Sequence, residues 1–169
     1  MKVNYNIKPG DTFTNKDIDQ MKLREDVDLE YKSGYSSYDN TEYGLIAENY
    51  LKEHKNYTNN PKDYQDLFNP QKTNTEIKTF SEDREDPDKY KQDVLHNFSK
   101  AVDGRSSLWE RKVMWEKEVA DIVIFFKRTG NIKRREDYTI TYVCDEIFEW
   151  NSEIGRYTSV QSLETPLQN

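Results

Sequence analysis

The sequence predicts an α/β fold with a mixed central β-sheet flanked by helices, and three runs of residues predict it. Residues 41–54 place Tyr43, Ile46, Ala47, Tyr50 and Leu51 at spacings of three and four, the stripe of a half-buried helix. Residues 74–80, Asn-Thr-Glu-Ile-Lys-Thr-Phe, read as a strand whose Glu76 and Lys78 share one face while Ile77 anchors the other. Residues 119–126, Val-Ala-Asp-Ile-Val-Ile-Phe-Phe, are the most apolar run of the chain and rich in β-branched and aromatic types, as a buried central strand requires.

In order along the chain, residues 1–40 are polar and acidic, with Pro9-Gly10 and Gly34 as punctuation and no sustained apolar period. They are expected to form a poorly packed arm, or an edge element that folds only on the main domain. Asn40 or Thr41 caps the helix that follows. After the break at Asn59-Asn60-Pro61, residues 63–68 read as a short strand, and Asn69-Pro70 turns it into the strand at 73–80, a candidate hairpin. The charged stretch 81–104 reads as a solvated loop with a short helix at 90–98. A helix over 106–115, the strand at 119–126, a turn at 127–131, a returning strand at 138–143 and a helix capped by Asp145 through Ile147, Phe148 and Trp150 complete the pattern. The domain division expected is thus a polar N-terminal arm (1–40), a core domain (41–151) and a polar, frayed C-terminal tail (152–169).

Composition narrows the function. A mean hydropathy of −1.10 is low for a compact fold, but 12 Tyr, 7 Phe and 3 Trp supply large areas per residue for a small core. No apolar run approaches the length that crosses a bilayer, and no signal-peptide-like segment opens the chain. Cys144 is the only cysteine, which excludes an internal disulfide and a cysteine-based zinc site, and is most simply a buried thiol. A cytoplasmic setting is the expectation. The formal net charge of −7 argues against a general electrostatic nucleic-acid binder, though not against an enzyme with a local basic surface.

The tripeptide acid-x-Lys is cheap in so charged a chain, where about three copies are expected by chance. It stands at Glu30, Glu53, Glu76 and Glu110. Glu53 and Glu110 lie in helix-like segments, where residues two apart do not share a face, and Glu30 has little apolar support. Only Glu76-Ile77-Lys78 is flanked by strand-favouring Thr and Phe.

A capped helix carrying an acid, an aspartate strand, the Glu76-Ile77-Lys78 strand, then a helix and the Ala-Asp-Ile-Val-Ile-Phe-Phe strand together resemble the PD-(D/E)xK nuclease superfamily over roughly residues 41–150. The resemblance implies a restriction-endonuclease-like core and a metal-dependent endodeoxyribonuclease that hydrolyses DNA phosphodiester bonds with a metal-activated water. It implies that Asp66 and Glu76 hold Mg²⁺ or Mn²⁺ with the Ile77 carbonyl, that Lys78 orients the water and stabilises phosphate charge, and that Glu48 is an accessory acid. It also implies a homodimer as one way to cut both strands. The Pro-Asp of the motif is replaced by Gln65-Asp66, which leaves Asp63 as a rival for Asp66. Oxygen-only ligation suits Mg²⁺, and the nine residues between Asp66 and Glu76 allow a tight hairpin.

Five basic residues in nine, Lys127, Arg128, Lys133, Arg134 and Arg135, reverse the local charge, and the turn there is expected either to grip phosphates, with Gly130 allowing close approach, or to serve as a solubilising tip. Asp121 reads as a strand-start residue facing solvent or as a partner of the site. His54 and His96 are too few for a histidine metal cluster, and Trp109 and Trp115 read as core residues. The Tyr/Asn/Lys-rich composition has a phage-like character. The alternatives are an inactive nuclease-fold protein that binds or inhibits a partner, for example in phage counter-defence, and a purely structural assembly protein.

Overall fold

The computed structural model describes residues 5–32, 37–60, 67–103, 120–132 and 137–162. Within them lie β1 (Thr12–Thr14), a 3₁₀ turn (Asn15–Asp17), α1 (Gln20–Tyr31), α2 (Tyr38–His54), β2 (Thr58–Asn59), β3 (Leu67–Phe68), β4 (Asn74–Ser81), α3 (Pro87–Asp103), β5 (Ile122–Thr129), β6 (Thr141–Asn151) and β7 (Arg156–Ser162). The strands form one mixed sheet in the order β1-β6-β5-β4-β3-β2, with β7 also paired to β6. β4 and β5 are parallel and every other pair is antiparallel. Parallel neighbours need a long crossover, and α3 lies in the segment that makes it. None of the described helices is long and apolar enough to cross a membrane.

Both faces of the sheet are covered, which is why β5 reads as a continuous apolar run. Ile77, Ile122, Ile124, Phe126 and Ile147 pack with Tyr43, Ile46, Ala47 and Leu51 of α2 and Leu23 and Val27 of α1. On the other face Phe80, Val123, Phe125 and Phe148 pack with Leu95 of α3 and Tyr157 of β7. β5 begins at Ile122 and continues through Lys127, Arg128 and Thr129, which the sequence placed in a turn. Backbone pairing of these three with Thr141–Val143 extends the strand beyond its apolar residues.

The N-terminal segment does more than its polarity promised. β1 pairs with the outer edge of β6, and Tyr5, Ile7, Phe13, Ile18, Leu23 and Val27 all enter the core. Phe13 is stacked between Tyr50, at 3.9 Å, and Tyr142, at 4.9 Å. α1 is capped by Asp19, whose carboxylate accepts from the Met21 and Lys22 N–H groups.

Three further expectations are corrected. The short helix at 90–98 is the longer α3: Pro87 opens it where its missing N–H costs nothing, and the Asp86 carboxylate accepts from Lys89 N–H at 3.1 Å. The helix expected after Asp145 is instead the second half of β6. Ile147 and Phe148 are both buried, but in opposite cores, an arrangement that a strand covered on both faces provides. The frayed tail begins with β7, joined to β6 by a turn in which Gly155 takes φ +65° and its N–H donates to Asn151 O. The helix expected at 106–115 lies outside the described residues.

Candidate active site

β4 delivers the predicted alternation. Ile77 is buried in the α2-side core, while Glu76 and Lys78 face the α3 side with Phe80. Lys78 Nζ stands 3.8 Å from Glu76 Oε1, with the glutamate side chain 7% exposed and the lysine 36%. The carboxylate is therefore largely withdrawn from water while the ammonium reaches the surface. Across the parallel ladder Glu76 is level with Val123, and Thr75, the residue before it, pairs with Leu67 of β3.

A tyrosine and a second acid complete this corner. Tyr157 donates its hydroxyl to Ala120 O at 2.6 Å. Burial, then the charge of Asp121, then that of Glu76 push this phenol well above its ordinary range. Glu76 on β4 and Asp121 just before β5 thus act on one hydroxyl. Asp121 is exposed and immediately precedes β5, as a strand-start residue facing solvent would be.

The other sequence-predicted residues are distributed differently. Asp63 and Asp66 lie outside the described residues. Glu48 is on α2, which packs on the Ile77 face of the sheet, and its carboxylate lies back beside Gly44. The structure therefore does not bring it to the face of Glu76. Among the described residues no three Asp, Glu, His or Cys side chains converge to hold a metal ion; Glu76 and the Ile77 carbonyl are the described part of the expected ligand set. Lys127 is on the Glu76 face by alternation. Arg128 is on the opposite one, its guanidinium over the Tyr43 ring. Lys133, Arg134 and Arg135 lie outside the described residues. Gly130 takes φ +103°, and a Cβ there would stand 2.6 Å from Thr139 O. Its lack of a side chain serves the chain's own close approach, the need that sequence reasoning assigned to a phosphate.

The same face holds a buried ion cluster that sequence reasoning missed. In the β5–β6 register Phe125 pairs with Glu146 and Phe126 with Cys144, so Asp145 is the extra residue of a bulge. The bulge lets both Asp145 and Glu146 reach Lys91 of α3, the glutamate at 2.9 Å. Burial alone would lower the Lys91 pKa, but the bonds to the two carboxylates outweigh it and the net shift is upward. The available signal was a lysine set in the apolar stripe of Tyr90, Val94 and Leu95. Cys144, buried between strands, has its thiol pushed far up by burial first and by Asp11 and Asp145 next, which makes it a poor nucleophile.

Comparison with protein-family models, curated proteins and solved structures gave no match to the chain.

Proposed function

We propose that this protein is a metal-dependent phosphodiester hydrolase acting on DNA, with Glu76 and Lys78 at its centre. The observation that carries the reading is the pair itself: a largely buried carboxylate and a surface-reaching ammonium 3.8 Å apart on one face of β4. Its surroundings agree in kind with the resemblance seen in the sequence, since β4 pairs antiparallel with β3 on one side and parallel with β5 on the other. In this reading Glu76, the Ile77 carbonyl and Asp66, the residue next to Leu67, would hold Mg²⁺ or Mn²⁺, an all-oxygen donor set of the kind these cations take. When bound, such a cation supplies Lewis acidity and lowers the pKa of a water. Glu76 fixes one edge of that site. Lys78 places a permanent positive charge where the phosphate gains negative charge and orients the attacking water from the solvent side.

The test is nicking of supercoiled plasmid and cleavage of single-stranded DNA, with Mg²⁺ and with EDTA. Wild-type protein is expected to cut only with the metal, and Glu76→Gln and Lys78→Met each to lose more than roughly a hundredfold in rate. Cleavage by Glu76→Gln at the wild-type rate, or no cleavage by the wild type with Mg²⁺ or with Mn²⁺ in its place, sinks the enzyme reading.

A second reading is favoured by the net charge of −7. Here the chain binds a basic protein partner without catalysis. Stable capture of a basic partner by wild-type protein that cuts no DNA would support it.

A further inference from the structure

Arg128 is the penultimate residue of β5, and its side chain turns to the α2 side of the sheet. Its guanidinium carbon lies 3.6 Å from the centroid of the Tyr43 ring. That ring is itself fixed, because the Tyr43 hydroxyl accepts from Ile132 N–H at 3.1 Å and the Tyr43 carbonyl accepts from the Tyr142 hydroxyl at 2.6 Å. The guanidinium plane is thus held in place by an aromatic surface. Among the described residues its buried Nε has no hydrogen-bond partner. Among the described residues no ion pair joins Arg128 to a carboxylate. Glu42, the buried acid of this corner, accepts from the Tyr138 hydroxyl.

An arginine held flat by stacking, with one nitrogen already sunk and unsatisfied, has its two terminal nitrogens left to meet an acceptor from outside. Two parallel N–H donors at a fixed spacing match two oxygens of one oxyanion. Charge selects among oxyanions. A phosphate, with more than one negative charge and more acceptor oxygens, gains more from a guanidinium than a singly charged carboxylate does. We propose that Arg128 is the receptor of a phosphate-binding site, its terminal nitrogens gripping two phosphate oxygens while Tyr43 holds the guanidinium plane.

This site is separate from the Glu76 corner. Glu76 is level with Val123 and Arg128 with Ser81, five residues further along each strand, or roughly 16 Å at the usual rise, and on the other face. The proposal therefore stands whether or not Glu76 is catalytic. The phosphate has two sources, a nucleic-acid backbone or a free phosphorylated small molecule.

The test follows the Arg128 Nε–H resonance of ¹⁵N-labelled wild-type protein during titration with inorganic phosphate and, separately, with a short single-stranded oligothymidylate. A saturable shift of that resonance is expected. Saturation by the oligonucleotide at about tenfold lower concentration than by phosphate, lost as salt rises, identifies a nucleic-acid backbone; saturation by phosphate at equal or lower concentration identifies a small molecule. Arg128→Lys, followed like the wild type by the Ile132 amide resonance beside the site, keeps the charge but lacks the fork, and is expected to weaken binding about tenfold. A resonance that neither probe moves, or Arg128→Lys binding both probes as the wild type does, overturns the proposal.

Discussion

At the scale of single residues, the chain shows how much a position's meaning depends on what stands opposite it. Gly130 could be read from sequence as an opening for a ligand, yet the space beside it is filled by the Thr139 carbonyl. Two costs coincide there: a positive φ, which side chains other than glycine's resist, and a backbone atom that cannot swing away. Gly130→Ala is expected to destabilise the fold by about 2 kcal/mol, read as a lower denaturant midpoint with an unchanged slope. An effect within a few tenths of a kcal/mol would mean that the turn relaxes freely. Glu76 is the opposite case. Ile77 between two charged residues already implied a strand with one buried face, and the structure places the three side chains as that alternation requires.

At the scale of elements, α3 is held to the sheet by apolar contacts and by one buried ammonium. Lys91 has lost most of its water and has Asp145 and Glu146 in its place. Removing only the cation leaves two carboxylates without their partner, the costly way to break a buried pair. Lys91→Met is therefore expected to lose about 3 kcal/mol of stability. Adding Asp145→Asn and Glu146→Gln should recover part of that loss, because no orphaned charge then remains. Equal stability of the single and triple variants would show that Lys91 contributes through its methylene stem alone. The bulge at Asp145 was not legible from the sequence, since Cys-Asp-Glu-Ile-Phe-Glu-Trp supports a capped helix as readily as a kinked strand. Pairing with β5 and β7 decides for the strand. The turn after β6, Asn-Ser-Glu-Ile-Gly, did carry a hairpin signal in its glycine.

At the scale of the whole molecule, the core depends heavily on tyrosine. Tyr5, Tyr57, Tyr142 and Tyr157 are all buried and their phenols are all pushed upward. Burial is the largest cause in each case, with the Glu149 carboxylate adding to it at Tyr5. A phenol titrates at 10.0 in its ordinary state, so above that pH the unfolded chain ionises while the folded one resists. The stability these tyrosines contribute is fully present below pH 10 and is lost as pH rises towards their folded values. Lys91, also raised, loses its contribution in the same direction above 10.5. The denaturation midpoint should hold steady from about pH 7 to 9 and fall above about 10. The tyrosinate absorbance of these four residues should then appear together with loss of the circular-dichroism signal. Ionisation of all 12 tyrosines at pH 10 in the intact fold would contradict this.

The sequence by itself determined the elements whose local pattern is self-sufficient. α2 has a complete apolar stripe, β4 alternates about Ile77, and β5 is too apolar to lie anywhere but between two covered faces. Their order was enough for a mixed sheet with helices against it. Tertiary structure alone decided where the polar N-terminal segment goes, because Tyr5, Phe13, Leu23 and Val27 are too scattered for any period and find one another only across the finished sheet. It also decided which charged residues share a face: Glu76 with Lys78, Lys91 with Asp145 and Glu146, and Arg128 away from all of them on Tyr43. The physical reason is the same throughout. Local pattern fixes which way a side chain points from its own strand or helix, whereas its neighbours come from residues distant in the chain, and only strand register and helix docking bring them within a few ångströms.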